Sequence, residues 1–414
     1  MPRVPTDRSH SRESLRPTSV LVRLSVRFQD GKFSDFISAV DHMEAAMNSG
    51  ATAPQIRLTE ESPSGKTMSG EIEIAIPNDV LRNNVGVSML MAIAGYYSSY
   101  SGVEGYGIER IELCEASMDA LQLLGPINTL TPAGAGPISI GAILKPRFAP
   151  GQPPEIKRYL AWCGKAGFDL VVEDELTNVG DVSQVLNRVR WASDVLVGAE
   201  SDARYVVNLT RRMSEALEIA EELQNVPQSG AMLNIVTMGI DAVQEVRSRF
   251  MVPVVANVVG RGMIGGGPNF YVREEVLCKL ARLSGADAVY TGPFVGAIET
   301  DKDRVRRLRA ALNDDIVEGA SYHPSAAVMS GGLNIVNSFR NISYYRERMM
   351  LLWGSEAYKL YTENVPPLVV RDALDVLRED EFEDEVEMKS ELKVRVKRRL
   401  RSSTDSVLEL MGID

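Results

Sequence analysis

Three consecutive carboxylates, Glu173, Asp174 and Glu175, follow an apolar run in the segment AGFDLVVEDELTN, residues 166–178. Acidic residues at the end of a buried strand are typical of a metal site or an acid–base site, because carboxylate oxygens suit Mg²⁺ and carboxyl groups carry protons. Strand parity puts Val172 and Asp174 on one side and Glu173 on the other. The segment therefore raises the question of which other groups complete the site.

Further polar groups follow other short apolar runs of the chain. Lys145 and Arg147 follow the run ISIGAIL. Arg261 lies in the glycine-rich stretch VVGRGMIGGGPNF, where we expect it to bind a substrate phosphate. A third set precedes a predicted helix and comprises Ser330, Gly331 and Gly332. Backbone N–H groups in such a turn can hold a phosphate, and a plain glycine turn into a helix is an equally good interpretation.

The apolar runs alternate with amphipathic helical patterns from Ile138 onward. The pair ISIGAILKP and PEIKRYLAWCGKAG is followed by FDLVVEDE and VSQVLNRVRWASDVL, and the alternation continues. About eight such units fill about 250 residues, the count and length of a (β/α)8 TIM barrel, an α/β fold whose sites lie at the C-terminal strand ends. A doubly wound open sheet is the alternative. It would not need eight regular repeats, and no GxGxxG follows the first strand.

The residues before the barrel follow a different pattern. The run VLVRLSVRF alternates with period two, residues 33–50 have a helical pattern, and two strands, a helix and a further strand are predicted next. This β-α-β-β-α-β order predicts a ferredoxin-like α+β domain. We therefore predict a disordered tail (1–18), a ferredoxin-like domain (19–130), a barrel domain (131–378) and a charged C-terminal extension (379–414).

The C-terminal extension carries an acidic run, EDEFEDEVE, followed by a basic run, KVRVKRRLR. Such a pattern is typical of a solvated helix or coil with internal charge pairs. An interaction arm is the alternative interpretation.

Composition excludes several classes of protein. With 44% hydrophobic and 24% charged residues, the chain has the composition of a globular protein, and its net charge of −11 argues against a nucleic-acid partner. No apolar stretch is long enough to span a membrane. Three scattered cysteines and three histidines argue against a disulfide framework, a cysteine zinc site and a histidine-rich metal site, and they predict a cytoplasmic location.

Four motifs, GAILKPR, GFDLVVEDELTN, LARLSGADAVYTGPFVG and SGG, occur in order behind the predicted α+β domain. In this combination the chain resembles the large subunit of ribulose-bisphosphate carboxylase/oxygenase (RuBisCO) over most of residues 20–375. The resemblance implies the barrel with its appended domain and a homodimer or dimer-based oligomer. It does not by itself imply carboxylase activity.

In the family, the second motif holds Mg²⁺ through a carbamylated lysine and two carboxylates. Asp174 and Glu175 match those carboxylates, Glu173 matches the acid between them and the lysine, and the lysine position is Val172. Because valine cannot form a carbamate, the resemblance implies a magnesium site that has lost one of its oxygen ligands.

Other positions also depart from the family pattern. Lys145 matches a reactive lysine, whereas Arg147 replaces a second lysine and Ala297 replaces the lysine of the loop after strand 6. The strand-5 exit has Asn257 instead of a His-Arg pair. Two further departures are Tyr96 at an asparagine position and a glycine triplet after strand 8 reduced to Gly354.

These matches and losses lead to three hypotheses. The first is a RuBisCO-like protein that does not fix CO₂ and enolises, isomerises or decarboxylates a small phosphorylated, sugar-like metabolite, with Lys145, helped by Arg147, as acid–base residue or oxyanion partner. An ion pair of Lys145 with Asp174 or Glu175 is compatible with that role or replaces it. The second hypothesis is a non-catalytic binding or regulatory protein. The weakest is a true carboxylase.

Overall fold

The computed structural model describes residues 19–29, 32, 55–61, 67–78, 81, 87–99, 101–130, 136–144, 153–176, 180–262, 269–295, 302–314, 317–318, 322–379, 382–400 and 404–413. The predicted tail (1–18) and the predicted first helix (33–50) lie outside these described residues.

An antiparallel sheet forms the N-terminal part of the chain. Its strands are β1 (Ser19–Gln29), β2 (Gln55–Glu61), β3 (Thr67–Pro77) and β4 (Val103–Cys114), in the order β4-β1-β3-β2. Even-numbered residues of β1 from Val20 to Phe28 are buried, as the period-two pattern predicts for a strand with one face on a core. The sheet order agrees with the ferredoxin-like prediction.

Two short strands from the barrel part of the chain extend this sheet. Strand β10 (Phe270–Val272) pairs in parallel with β4, and β12 (Val317–Glu318) also pairs with β4. The sequence pattern YVREEVLCKLARLSG predicts a helix from Tyr271. A helix is present from Glu274 to Leu283, but the start of the prediction is wrong because Tyr271 and Val272 belong to β10. Pairing with the edge of a distant strand overrides the local helical pattern.

Eight parallel strands close into a barrel, as the alternation of strands and helices predicts. The neighbour order follows the chain through β5, β6, β7, β8, β9, β11, β13 and β14 and returns to β5. Both faces of these strands are covered, which explains why they are continuous apolar runs. The strands are β5 (Ile138–Leu144), β6 (Leu170–Glu173), β7 (Arg204–Asn208), β8 (Ser229–Asn234), β9 (Val254–Asn257), β11 (Ala288–Tyr290), β13 (Ala326–Ser330) and β14 (Met349–Trp353).

Helices cover the sheet and surround the barrel. Those of the N-terminal part are α1 (Val87–Gly95), which continues into a 3₁₀ turn (Tyr96–Ser99), and α2 (Glu115–Ala120). The others are α3 (Pro153–Lys165), α4 (Val182–Gly198), α5 (Met213–Leu223), α6 (Ile235–Met238), α7 (Asp241–Arg249), α8 (Glu274–Leu283), α9 (Lys302–Asn313), α10 (Ile335–Tyr345), α11 (Ser355–Thr362), α12 (Pro367–Glu379), α13 (Glu385–Arg399) and α14 (Thr404–Leu410). None of the described helices has the length and apolar character needed to cross a membrane.

The charged C-terminal residues form a helix that packs on the barrel layer. Helix α13 contacts α12 and α10, and it buries Met388, Leu392 and Val396, which are spaced four residues apart on one face. On its exposed face Arg395 pairs with Glu379 and with Glu391. The described charged residues of α13 therefore lie outside its buried apolar stripe, as in an amphipathic helix.

Candidate functional site at the barrel mouth

Strand β6 positions the three acids that open the sequence argument. Glu173 is its last residue and pairs in register with Leu144 of β5, while Val172 lies between Ile143 and Val206 and is fully buried. Because side chains alternate along a strand, Val172 faces the barrel interior when Glu173 faces the helices.

Glu173 is held on the helix side of the strand. Its Oε1 accepts hydrogen bonds from Arg188 Nε of α4 at 2.7 Å and from the Tyr205 hydroxyl at 2.8 Å, and its Oε2 accepts from the Asn208 backbone N–H at 2.9 Å. Burial raises the pKa of Tyr205, and the charge of Glu173 raises it further. This acid is therefore part of a buried ion pair between barrel and helix layer and not part of the mouth.

The next residue, Asp174, closes a turn. Its Oδ1 accepts a hydrogen bond from the backbone N–H of Leu176 at 3.0 Å, and only 2% of the residue is exposed. Asn208, Asn234 and Asn257 end the three following strands with the same i to i+2 bond, at 2.9, 2.9 and 2.7 Å. Four adjacent strands thus end in Asx turns, in which a side-chain oxygen replaces a backbone acceptor.

Glu175 lies in a cavity of about 240 Å³ at the mouth, between the ends of strands β5, β6, β13 and β14. The same cavity is lined by Ser330, Gly331 and Gly332, so the structure brings this predicted turn and this predicted acid together. Its remaining described lining is Ile143, Leu333, Asn334, Gly354, Ser355 and Glu356. We call it the mouth cavity.

The turn at one side of the mouth cavity requires glycine. Gly331 and Gly332 have φ values of +101° and +72°, a region that other residues rarely adopt. A Cβ atom on Gly331 would meet nothing within 4 Å, so the space beside its backbone is open. The Asn334 side chain accepts from the Asn337 backbone N–H at 2.9 Å and caps α10, whose positive end points towards this turn.

A second carboxyl group, Glu356, also lines the mouth cavity. It lies in the first turn of α11, and burial raises its pKa, against the nearby Lys359 that lowers it. An anion at the Gly331 turn would therefore face two acids, Glu175 and Glu356. Sequence reasoning missed Glu356, although its position after the end of β14 is a signal that the barrel rule provides.

Tyr290 is the other mouth residue that sequence reasoning missed. It ends β11 and is 7% exposed. Burial raises the pKa of its hydroxyl, and the charges of Glu175 and Asp174 raise it further. Tyr290 therefore keeps its proton near these acids and can act as a hydrogen-bond donor.

Arg261 lies beside the C-terminal ends of β9 and β11 and does not line the mouth cavity. Its guanidinium pairs with Glu274 and donates to the Thr291 carbonyl at 3.4 Å from Nη1. Arg304 binds the same carboxylate, with Nε 2.7 Å from Glu274 Oε2. A phosphate-binding role of Arg261 stays a prediction.

Three predicted site positions, Lys145, Arg147 and Ala297, lie outside the described residues. Lys145 directly follows Leu144, the last residue of β5. Tyr96 begins the 3₁₀ turn after α1.

The described residues do not complete a magnesium site. Mg²⁺ requires near-octahedral oxygen coordination, yet Val172 offers no donor and one oxygen of Asp174 is committed to its own turn. Among the described residues no group of three His, Cys, Asp or Glu side chains could hold a metal ion. The donor set therefore does not fit the metal that the resemblance implies.

The closed barrel, the appended antiparallel sheet and a cavity at the strand ends define an α/β-barrel protein with a mouth site. Residues 127–354, more than half of the chain, match the family described as "Ribulose bisphosphate carboxylase large chain, catalytic domain". The chain belongs to this family. The resemblance seen in the sequence is confirmed.

Relatives within the family carry different names. A "2,3-diketo-5-methylthiopentyl-1-phosphate enolase" from Bacillus velezensis is 26% identical over 188 residues, 44% of this chain and 45% of that protein. A "Ribulose bisphosphate carboxylase" from Methanocaldococcus jannaschii is 26% identical over 185 residues, 43% of each protein. An "Uncharacterized ribulose bisphosphate carboxylase-like protein" from Bordetella bronchiseptica is 25% identical over 323 residues, 74% of this chain and 73% of the relative. The chain thus spans less than half the length of the first two relatives.

Solved structures share the fold over almost the whole chain. A rubisco-like protein (MtnW) from Alicyclobacillus acidocaldarius has a TM-score of 0.74 at 19% identity. The matched residues cover 93% of this chain and 99% of that protein's chain. A rubisco-like protein from Burkholderia fungorum has a TM-score of 0.73 at 17% identity, with 93% and 100% covered. At these identities the likeness concerns the fold alone.

Proposed function

We propose that this chain catalyses enolisation, the removal of a proton next to a carbonyl group, on a small phosphorylated substrate, and that it does not fix CO₂. The observation that carries the proposal is the mouth cavity, in which Glu175 meets the turn Ser330–Gly332. A carboxylate and a turn of open backbone N–H groups are what proton transfer and phosphate binding require.

The turn accounts for the phosphate part of the substrate. Two consecutive residues with positive φ, Gly331 and Gly332, precede the N-terminal end of α10, and open space lies beside Gly331. A phosphate there gains from the backbone N–H groups and from the helix dipole. Glu175 and Glu356 line the same cavity, so a phosphate there also meets repulsion from these two acids, which the gain from the turn must exceed.

Two side chains are assigned roles, one in moving the proton and one in stabilising the oxyanion. Lys145, which directly follows Leu144 in the sequence, is assigned the acid–base role, because it matches the reactive lysine of the family pattern. Tyr290 keeps its proton and donates a hydrogen bond to the oxygen on which negative charge develops. No step is assigned to a metal ion, because the described donors do not fit one.

The Bacillus velezensis relative supports a substrate class. Its name specifies a diketo alkyl phosphate and an enolase reaction, which combines a phosphate with a proton next to a carbonyl. We extend this class to the present chain because the glycine turn of the mouth cavity suits a phosphate and Tyr290 lies near Glu175 of the same cavity. Loss of the carbamate lysine at Val172 argues against carboxylation.

A non-catalytic binding or regulatory role is the second candidate. The observation that favours it is the set of Asx turns at four strand ends, where side-chain oxygens of Asp174, Asn208, Asn234 and Asn257 serve the backbone. Polar groups used in this way contribute to stability and less to chemistry.

Deuterium exchange separates the two candidates. Purified protein is incubated in D₂O with 2,3-diketo-5-methylthiopentyl 1-phosphate, and loss of the substrate proton is followed by NMR. We expect enzyme-dependent exchange that falls by about two orders of magnitude or more in Lys145→Met, and a raised KM in Gly331→Ala. Lys157→Met, which removes an exposed lysine from α3, is the matched control and should retain full exchange.

The outcomes are distinct. Saturable binding of the substrate without exchange would support the non-catalytic candidate and overturn the enolase. Exchange that persists in Lys145→Met would keep the reaction and remove Lys145 from its assigned role.

The homodimer or dimer-based oligomer and the cytoplasmic location are also proposals that rest on the resemblance and on cysteine usage. Light scattering on the eluted protein tests the first, and a single-chain mass would contradict it.

A further inference from the structure

A second cavity of about 540 Å³ lies away from the mouth, between the N-terminal sheet and helices α8 and α9. We call it the seam cavity, because strands β1, β3 and β4 form one wall and the two barrel helices form the other. It shares no described lining residue with the mouth cavity. Its described charged lining consists of the basic residues Arg23, Arg110, Arg273, Lys279 and Arg307 and the acidic residues Glu71, Glu109 and Glu275.

The arginines of the seam cavity are already paired but keep further donors. Arg273 Nε lies 2.6 Å from Glu109 Oε2, and Arg307 Nε lies 3.0 Å from Glu275 Oε1. A guanidinium has five N–H donors, so each of these pairs leaves donors for an additional acceptor.

Lys279 of α8 differs from these arginines. Its Nζ donates to the Ile111 carbonyl at 2.8 Å, and within the described part of the chain no carboxylate lies at ion-pair distance from it. The pKa of this ammonium is lowered to about 8, mainly by burial and also by the charge of Arg110, while the charge of Glu112 acts in the opposite direction. The charged groups near it are Glu109, Arg110 and Glu112 on β4, Arg23 on β1, Glu71 on β3, Arg273, Glu275 and Arg282 on or beside α8, and Arg307 on α9.

A partly buried cation with one neutral acceptor, in a cavity whose described lining has five basic and three acidic side chains, is destabilised, and a bound anion removes that cost. We propose that the seam cavity binds a small phosphate-bearing anion and is a second ligand site, separate from the mouth. A phosphate dianion has the charge and the acceptor oxygens to join Lys279 to the fork-shaped donors of neighbouring guanidiniums.

The first turn of α8 carries ion pairs on two sides. In the seam cavity Arg273 pairs with Glu109, and Glu275 pairs with Arg307. Glu274, which lies between Arg273 and Glu275 in the sequence, binds Arg261 and Arg304 beside the C-terminal ends of β9 and β11. An anion that draws Arg273 away from Glu109 therefore acts on the helix turn in which Glu274 holds Arg261 and Arg304.

Calorimetry on the full chain tests the proposal with two probes, inorganic phosphate and glycerol 3-phosphate, at pH 7 and constant ionic strength. We expect Lys279→Met to weaken seam binding about tenfold or more and Arg307→Gln to weaken it several-fold, since bonds to charged groups are lost. Lys157→Met, the exposed-lysine control, and Gly331→Ala, the mouth variant, should leave this binding unchanged. Tighter binding of glycerol 3-phosphate would identify a phosphorylated metabolite as the source, and equal binding would identify inorganic phosphate.

Hydrogen exchange locates the bound probe independently. With inorganic phosphate present, the amides of β10 and the start of α8 should exchange more slowly in the wild type and in Gly331→Ala, but not in Lys279→Met. The proposal is overturned if neither probe binds at 10 mM, or if Lys279→Met and Arg307→Gln both bind as the wild type does. It is also overturned if Gly331→Ala abolishes all binding, because the anion would then occupy the mouth.

Discussion

Glu173→Gln is the change whose consequence follows most directly from the contacts of the three acids. The Glu173 side chain is fully buried, and that of its partner Arg188 is 9% exposed. Three donors end on this carboxylate, from Arg188, the Tyr205 hydroxyl and the Asn208 backbone. Glutamine keeps the shape but removes the charge and turns an amide NH₂ towards one of these donors.

The expected cost is the cost of a buried cation left without its partner, about 3–5 kcal/mol. The pair Arg190–Glu222 provides a matched control, because Arg190 is on the same helix and its Nη2–Oε2 distance is 2.8 Å. Its side chains are 50% and 44% exposed, so Glu222→Gln should cost no more than about 1 kcal/mol. The difference between the two variants isolates the effect of burial.

Urea unfolding measured by circular dichroism gives both values from the midpoint and slope. Adding Arg188→Met to Glu173→Gln should recover part of the loss, because the uncompensated charge disappears with the arginine. A cost for Glu173→Gln below 1 kcal/mol, together with a loss of Mg²⁺ binding, would refute the assignment and return Glu173 to the mouth.

The remaining predictions concern the mouth and the seam. Ribulose bisphosphate should not be carboxylated, and incorporation of labelled bicarbonate above background would contradict this. Mg²⁺ should bind weakly, and micromolar affinity in calorimetry that disappears in Asp174→Asn would contradict the strength while supporting the location. Val172→Lys has two possible outcomes: Mg²⁺ affinity rises in a bicarbonate-dependent manner, or the buried charge costs several kcal/mol of stability that neither Mg²⁺ nor bicarbonate restores. Thermal unfolding with and without both ligands separates these outcomes. The pKa of Lys279 is lowered on folding, from 10.5 to about 8. Wild type should therefore be less stable than Lys279→Met by about 1–2 kcal/mol below pH 8, after allowance for solvent screening, and the difference should shrink as pH rises towards 10.5. A pH-independent difference in urea unfolding would contradict this.

The barrel could be predicted from sequence because each strand is an apolar run followed by an amphipathic helix, and both signals are local. Strand parity separates Glu173 from Asp174, but only the contacts of Glu173 with Arg188 and Tyr205 show that it is directed away from the mouth. The strand β10 could not be predicted, because its three residues pair with Tyr106–Ile108 of a strand far away in the chain. Local periodicity contains no information about such a partner.

The candidate site could be predicted only in part, for a related reason. The residue types at the strand ends are visible in the sequence, but the acceptor that each one binds is not. Asp174 and Asn257 look like free polar groups in the sequence and serve their own turns in the structure. Glu356 and Tyr290 look like ordinary helix and strand residues, and only closure of the barrel places them near Glu175.

The three consecutive acids therefore have three different environments. Glu173 pairs with Arg188 on the helix side of the barrel wall, and Asp174 closes the turn that ends β6. Of the three acids only Glu175 lines the mouth cavity. A site that binds Mg²⁺ tightly needs several oxygen ligands on rigid elements pointing into one space, and the interior-facing position that would add one is the apolar Val172. The proposed proton transfer by Lys145, with phosphate held by the backbone N–H groups of the glycine turn, needs no such set of oxygen ligands. The arrangement thus favours chemistry that moves a proton over chemistry that requires a tightly held metal ion.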